Sequence, residues 1–206
     1  MAVGTTSLEG ERARRIVEAM RESVAEVGIA GSTFERVAAK AEVSRGLLHY
    51  YFGTKERLLA EVIRRDTEIR IETLGAALRR AESAESVVAA FFSTFRETLA
   101  EQRGYVYMVS ELFVAGRHSP ELKSRLGELY SRARAEFADI LRQKEEHGII
   151  SLRFEAEATL AYLFAAGDGA SVQLLSDPTL DAESTLEASL AVTRFLIGDP
   201  SHTGDG

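Results

Sequence analysis

Ser44, Arg45 and Gly46 stand side by side at the start of a short helical stretch, with Thr33 opening the helical stretch before it. Their chemistry is that of gripping nucleic acid. A guanidinium can hold guanine O6 and N7 together, which discriminates between bases by about 1–3 kcal/mol. A glycine beside it lets backbone approach base edges, and a serine hydroxyl reaches a phosphate or a base edge. Thr33 adds a hydroxyl at a helix start, where unpaired amides also receive a phosphate. Residues for bond-breaking chemistry are missing. The positions three before His49, His118, His147 and His202 are Gly46, Ala115, Lys144 and Asp199, so no Glu-x-x-His pair of a metal-holding bundle forms. No glycine-rich phosphate loop, nucleophile elbow or H-E-x-x-H occurs. With no cysteine there is no thiolate and no disulfide. The expectation is a protein without a catalytic site, metal or cofactor.

The elements that must position these residues lie in TFERVAAKAEVSRGLLHYYFGTKER, residues 33–57. It reads as two short amphipathic helices joined by a tight turn, the pattern of a helix-turn-helix. A preceding helix is expected from Glu11 to Val27, with Ile16, Met20, Val24 and Val27 on one face and Gly28 ending it. Thr33 or Ser32 caps the second helix, which buries Phe34, Val37, Ala38 and Ala41. The turn is Glu42-Val43-Ser44. The third helix is capped by Ser44 and buries Leu47, Leu48 and Phe52, and Thr54 caps a long fourth helix reaching about Arg80. Five more helices follow at about 84–102, 105–116, 120–147, 155–176 and 182–197, separated by Gly104, Gly116 with Pro120, Gly148 and Asp177-Pro178.

The stretch VSRGLLHYYFGTKERLL resembles the signature of the TetR family of transcriptional regulators, over about residues 12–60 and, through the helix count, loosely over the whole chain. GDGASVQLLSDPTLD resembles the end of the penultimate helix in a subgroup with betaine-responsive-type repressors. The resemblance implies an N-terminal three-helix DNA-binding unit and a C-terminal helical domain that dimerises and binds a small effector. It also implies phosphate contacts from His49, Tyr50 and Lys55. Two positions depart from the pattern. Glu42 occupies a turn position often held by glycine, which costs roughly 1–2 kcal/mol if its backbone is left-handed. His49 stands where tyrosine is usual. Other roles compete for these residues: capping alone for Thr33 and Ser44, a solvated charge for Arg45 and Lys55, cover of the junction between the third and fourth helices for His49. Tyr51 and Phe52 read as core.

Composition points the same way. The chain has 206 residues, 45% hydrophobic and 28% charged, with three prolines, which suits an all-α globular protein rich in Ala, Leu, Glu and Arg. The net charge of −7 is unevenly spread: residues 1–57 carry nine Lys/Arg against eight Asp/Glu, a balance of +1, and the rest carries −8. Modest non-specific DNA affinity follows. The expected organisation is a helix-turn-helix domain over 11–57, an effector-binding and dimerisation domain over 58–198, and flexible tails at 1–10 and 199–206. The N-terminus has no apolar signal segment, which favours the cytoplasm.

The last two helices need partners for their apolar surfaces. TLAYLFAAGDGASVQLL, residues 159–175, holds a single charge, Asp168. Such a helix must be buried on several sides, and Asp168, Ser171, Gln173 and two glycines speak against a membrane span. With Leu186, Leu190, Thr193 and Ile197 it forms the expected homodimer interface, together with Gly167, Gly169 and Val172. An intramolecular core is the alternative. Asp168 needs a partner, either a cationic effector or, as favoured, an arginine such as Arg134. Aromatics concentrate between residues 91 and 164, and Phe95, Tyr107, Met108, Glu111, Phe137, Phe164 and Asp168 are the candidate lining of a pocket for an apolar or amphipathic effector. The expected protein is an effector-released repressor on a palindromic operator in double-stranded DNA. Its rivals are a helical interaction module with a degenerate helix-turn-helix, and an effector-independent regulator.

Overall fold

The computed structural model describes residues 3–101 and 103–200, with side chains over 10–100 and 103–200. Among the described residues nine helices follow one another: α1 (Val3–Gly31), α2 (Phe34–Lys40), α3 (Arg45–Phe52), α4 (Lys55–Arg80), α5 (Ala84–Glu101), α6 (Arg103–Gly116), α7 (Pro120–Glu146), α8 (Ala156–Ser176) and α9 (Ala182–Leu196). Two short strands, β1 (Ser151–Leu152) and β2 (Ile197–Gly198), pair antiparallel. The fold is all-α, as expected. No helix among the described residues is long and apolar enough to cross a membrane.

Local signals set most of these boundaries. Gly28 takes φ 73° and ψ 175°, a conformation nearly confined to glycine, and kinks the last turn of α1. Thr33 caps α2 by accepting from the Arg36 amide, Thr54 caps α4 by accepting from the Arg57 amide, and Asp181 caps α9 by accepting from the Glu183 and Ser184 amides. Gly148, at φ 68°, closes α7 while the Ile149 amide donates back to the Lys144 carbonyl and its own amide to that of Glu145. That pair of bonds is a Schellman cap, which needs a left-handed residue at its centre. Lys144 in turn donates to the carbonyls of Arg79 and Ala81, placing its charge at the negative end of α4.

The chain packs into two compact units, Met1–Asp66 with Tyr107–Glu128, and Thr67–Val106 with Leu129–Gly206. In the first, Ile16, Met20, Leu48, Leu58, Leu59, Ile63 and Leu112 are fully buried. In the second, Leu78, Leu141, Ile150, Leu160 and Ile197 are. Transfer of such side chains from water stabilises each core by roughly 1.5–3 kcal/mol per residue.

The division differs from the expected boundary after residue 57. Leu58, Leu59, Val62 and Ile63 on α4, with Met108, Leu112 and Leu122, bury their side chains in the first unit, so the early turns of α4, most of α6 and the start of α7 belong with it. Residues 3–10, placed in a flexible tail from sequence, carry helical backbone at the start of α1. Residues 1–2 and 201–206 of the expected tails lie outside the described residues. Val27, expected on the buried stripe of α1, is 41% exposed, because Gly28 turns the chain directly after it.

Candidate nucleic-acid interface and effector-binding core

The turn between α2 and α3 is a second Schellman cap. The Val43 amide donates to the Ala38 carbonyl at 3.0 Å and the Glu42 amide to the Ala39 carbonyl at 3.3 Å. Glu42 sits at its centre with φ 54°, the one non-glycine residue at positive φ among the described residues. This geometry sends α3 off at an angle to α2. The α2 face turned inward buries Phe34, Val37 and Ala38, and α3 buries Leu48, with Leu47, Tyr51 and Phe52 half-buried. Beneath α2, the Ser23 hydroxyl donates to Ser32 Oγ, which donates to the Gly28 carbonyl, satisfying two buried hydroxyls.

What remains outward is the polar set. Thr33, Ser44, Arg45, Gly46, His49 and Tyr50 are all exposed. Ser44 holds the cap position of α3, but its hydroxyl makes no cap hydrogen bond. Arg36 and Lys40 are tied to Glu26, and Lys40 also to Glu22. Arg45 makes no ion pair among the described residues and is the cation of α2 and α3 left to meet a partner. A Cβ on Gly46 would meet nothing closer than Ser44 Oγ at 3.9 Å, so the free fold does not itself require glycine there. Tyr50 is 77% exposed, unusual for a ring of its size.

His49 and Lys55 have structural partners. The His49 ring meets Phe34 edge-on at 4.8 Å and sets Nδ1 3.2 Å from the Gly53 carbonyl, covering the junction of α3 and α4. The Lys55 ammonium donates to the Ile29 carbonyl at the end of α1. It is thus a half-buried tether instead of a solvated charge, with further N–H donors to spare.

In the second unit an aromatic row leads to a carboxylate. Phe137 meets Phe91 at 6.4 Å and Phe164 at 6.2 Å, both near-perpendicular. Phe164 faces Tyr130 at 6.4 Å, and the Tyr130 hydroxyl donates to Asp168 Oδ2 at 2.5 Å. One residue before Asp168, a Cβ on Gly167 would stand 3.8 Å from the Phe95 ring. Asp168 remains accessible to solvent, yet surrounding protein mass raises its carboxyl above the usual range, and the Tyr130 bond only partly opposes this. Burial first, and Asp168 second, push the Tyr130 phenol far above its ordinary value. Nearby, the Arg70 guanidinium lies 4.1 Å over the Tyr105 ring and donates to Thr98 Oγ1 at 2.6 Å, while the Thr67 and Tyr105 hydroxyls stand 3.3 Å apart.

The outer face of α8 is apolar and open. Tyr162 and Val172 are about half exposed, and an open groove of about 300 Å³ runs along Ala165, Ala166, Gly169 and Gln173 to Leu180 and Thr185. On α9, Val192 and Phe195 are also exposed.

Residues 16–62, which hold the α2–turn–α3 geometry, match the family model of bacterial regulatory proteins, tetR family. The chain is 38% identical over 77 residues to the HTH-type transcriptional regulator BetI 1 of Chromohalobacter salexigens, a stretch that spans 36% of each protein. It is 29% identical over 143 residues to the HTH-type transcriptional regulator BetI of Burkholderia thailandensis, covering 63% of this chain and 69% of that one. Its helix-turn-helix segment is thus similar to that of the TetR family. The fold agrees: a protein from Saccharomonospora viridis solved in complex with choline superposes with a TM-score of 0.73 at 19% identity, over 91% of this chain and 98% of that one.

Within this fold, several residues stand apart from their expected places. Tyr107, Met108 and Glu111 belong to the first unit, whereas Phe95, Phe137, Phe164 and Asp168 belong to the second, because the division falls at Val106 and Tyr107 within α6. Met108 and Phe137 are core residues, 2% and 3% exposed. Asp168 takes its hydrogen bond from Tyr130 of α7 and not from Arg134. Ile197, placed at the dimer interface from sequence, is instead 1% exposed inside the unit's own core, because β2 carries it inward against β1. Gly167 faces Phe95 within the same unit, while Gly169 and Val172 point outward, and Leu186, Leu190 and Thr193 are half-buried. Sequence reasoning missed Tyr130 as the partner of Asp168 and missed Arg70 altogether. Both contacts join residues far apart in the chain, and no local pattern announces them.

Proposed function

We propose that this chain is a TetR-family regulator, a homodimeric repressor that lays α3 in the major groove of a palindromic operator and is released by a small amphipathic effector. The observation that carries the DNA part is the set Ser44, Arg45 and Gly46 at the start of α3, exposed, with Arg45 free of any intramolecular ion pair among the described residues. Arg45 reads a base edge, Ser44 and Thr33 contact backbone, and Tyr50, His49 Nε2 and the spare Lys55 donors hold phosphates. Support for the dimer comes from α8, whose apolar outer face at Gly169 and Val172 and adjoining groove leave hydrophobic surface in water. A two-fold pairing of α8 and α9 would cover it.

For the effector, the Tyr130–Asp168 pair beside Phe164 favours a cationic head on an apolar body. A carboxylate with aromatic faces recognises ammonium groups, and the Saccharomonospora viridis protein of this fold was solved with choline. An effector that binds one conformation better shifts the population away from the operator-binding state, typically by about 1–3 kcal/mol of coupling.

Selection from random duplex DNA by the purified protein, followed by anisotropy at two salt concentrations, tests the reading. A palindromic winner bound more tightly than random DNA, with affinity falling as salt rises, is the expected result. Retention of no sequence above background would refute operator recognition.

A further inference from the structure

Arg57 stands in the first turn of α4, just beyond Lys55, yet it is directed away from the role assigned to its neighbours. Its amide donates to Thr54 Oγ1 at 3.2 Å, so the helix cap fixes its backbone. Its Nη1 lies 3.6 Å from where a Cβ on Gly53 would stand, which rests the guanidinium on the α3–α4 turn. That is the turn whose Gly53 carbonyl faces His49. The guanidinium then closes on Glu121, in the first turn of α7. Nε and Nη2 donate to Glu121 Oε2 at 3.0 and 2.5 Å, while Arg125 Nη2 donates to the other oxygen at 3.1 Å. The Arg57 and Glu121 side chains are 49% and 40% exposed, and both residues belong to the first unit. The two arginines, Arg57 foremost, hold the Glu121 carboxyl below its usual range, so the pair stays ionised at neutral pH.

We propose that Arg57 is a latent phosphate ligand and that Glu121 competes with the DNA backbone for it. The inference rests on the reading that α3 and the α3–α4 turn dock on DNA. Its physical basis is a close balance. A water-exposed ion pair contributes little net stability, whereas a cation placed on a DNA phosphate also releases a condensed counterion. Removing the carboxylate therefore tips the guanidinium towards DNA. One cation matters here because residues 1–57 have a balance of only +1 and because Arg36 and Lys40 are already bound to Glu26.

The test compares four full-length proteins: wild type, Glu121→Gln, Arg57→Ala and the double variant. Anisotropy is read on a selected operator duplex and on a random duplex over a salt series, with thermal melting to confirm that each protein is folded. Glu121→Gln is expected to bind both duplexes about threefold to fivefold more tightly, the fold-change of losing an exposed pair, with a log–log salt slope steeper by about 0.9 for one added phosphate contact. Both gains should vanish in the Arg57→Ala background. An equal gain with and without Arg57 would reduce the effect to loss of a negative charge and overturn the proposal, as would no gain at all while wild type binds. If wild type itself shows no salt-dependent binding, the DNA-docking reading fails first, and the two failures are thereby told apart.

Discussion

Replacing Glu42 by glycine should make the protein more stable, although it removes an entire side chain from the helix-turn-helix. The Schellman cap between α2 and α3 forces its central residue to φ 54°. An L-residue with a Cβ pays roughly 1–2 kcal/mol for that conformation. Glycine pays none of it, but gives up about 0.5–1 kcal/mol through the greater freedom of its unfolded chain. The Glu42 side chain is exposed and forms no hydrogen bond or ion pair among the described residues, so its own loss should lie within about 0.5 kcal/mol of neutral. The net expectation for Glu42→Gly is about 0.5–1 kcal/mol of stabilisation. In a chain of this size that raises Tm by about 1–4 °C. Glu42→Ala is the necessary control, because it removes the same carboxylate while keeping the Cβ and the strain. The assay is urea and thermal unfolding of the three proteins at one protein concentration, since the Tm of any oligomer, the proposed dimer included, depends on concentration. Glu42→Ala should match wild type, and Glu42→Gly should exceed both. A glycine variant no more stable than the alanine variant would refute the claim that this turn stores backbone strain.

Other outcomes follow from the same geometry. Arg45→Ala should cost about 1–3 kcal/mol at a selected operator and relax preference at one base position, while leaving the melting temperature unchanged; unchanged anisotropy would favour an interaction module over an operator-binding protein. Asp168→Asn tests the burial of that carboxyl. Because its folded-state value is raised, the stability linked to its protonated form is fully present below the ordinary carboxyl range and is lost as pH rises through the raised value. The asparagine variant should therefore be more stable than wild type at neutral pH, and its advantage should shrink as pH falls towards 4; an advantage independent of pH would exclude the carboxyl as its cause. Val172→Arg places a charge on the exposed outer face of α8, and if the proposed dimer forms through that face, sedimentation should report a dimer for wild type and a monomer for the variant, with helical content preserved. An unchanged mass would move the dimer contact elsewhere.

Much of this molecule was legible without coordinates because its boundaries are set by short-range chemistry. Gly28 and Gly148 supply positive φ, Thr33, Thr54 and Asp181 supply caps, and an apolar period of 3.6 residues sorts Phe34, Val37, Ala38 and Leu48 to the inside. Each signal acts within a few residues, so the nine helices and the helix-turn-helix can be read along the chain. Even the anomaly of a glutamate at a glycine position was visible, since the cap imposes its dihedral locally.

Tertiary structure alone decided which distant side chains meet. Tyr130, and not Arg134 one helical turn further along α7, faces Asp168, a choice made by how α7 is rotated against α8. Lys55 finds the Ile29 carbonyl and Arg57 finds Glu121 only once α1, α4 and α7 are packed together. The pairing of β1 with β2 joins the segment before α8 to the end of α9 and pulls Ile197 into the core, where a helical period had set it on an outer face. The division at Val106 and Tyr107 separates pocket candidates that sequence had grouped by residue type. Caps and periodicity act between near neighbours and are written in the chain itself. A contact across dozens of residues depends on the rotation and depth at which whole helices pack, and that is set by the sum of many buried side chains.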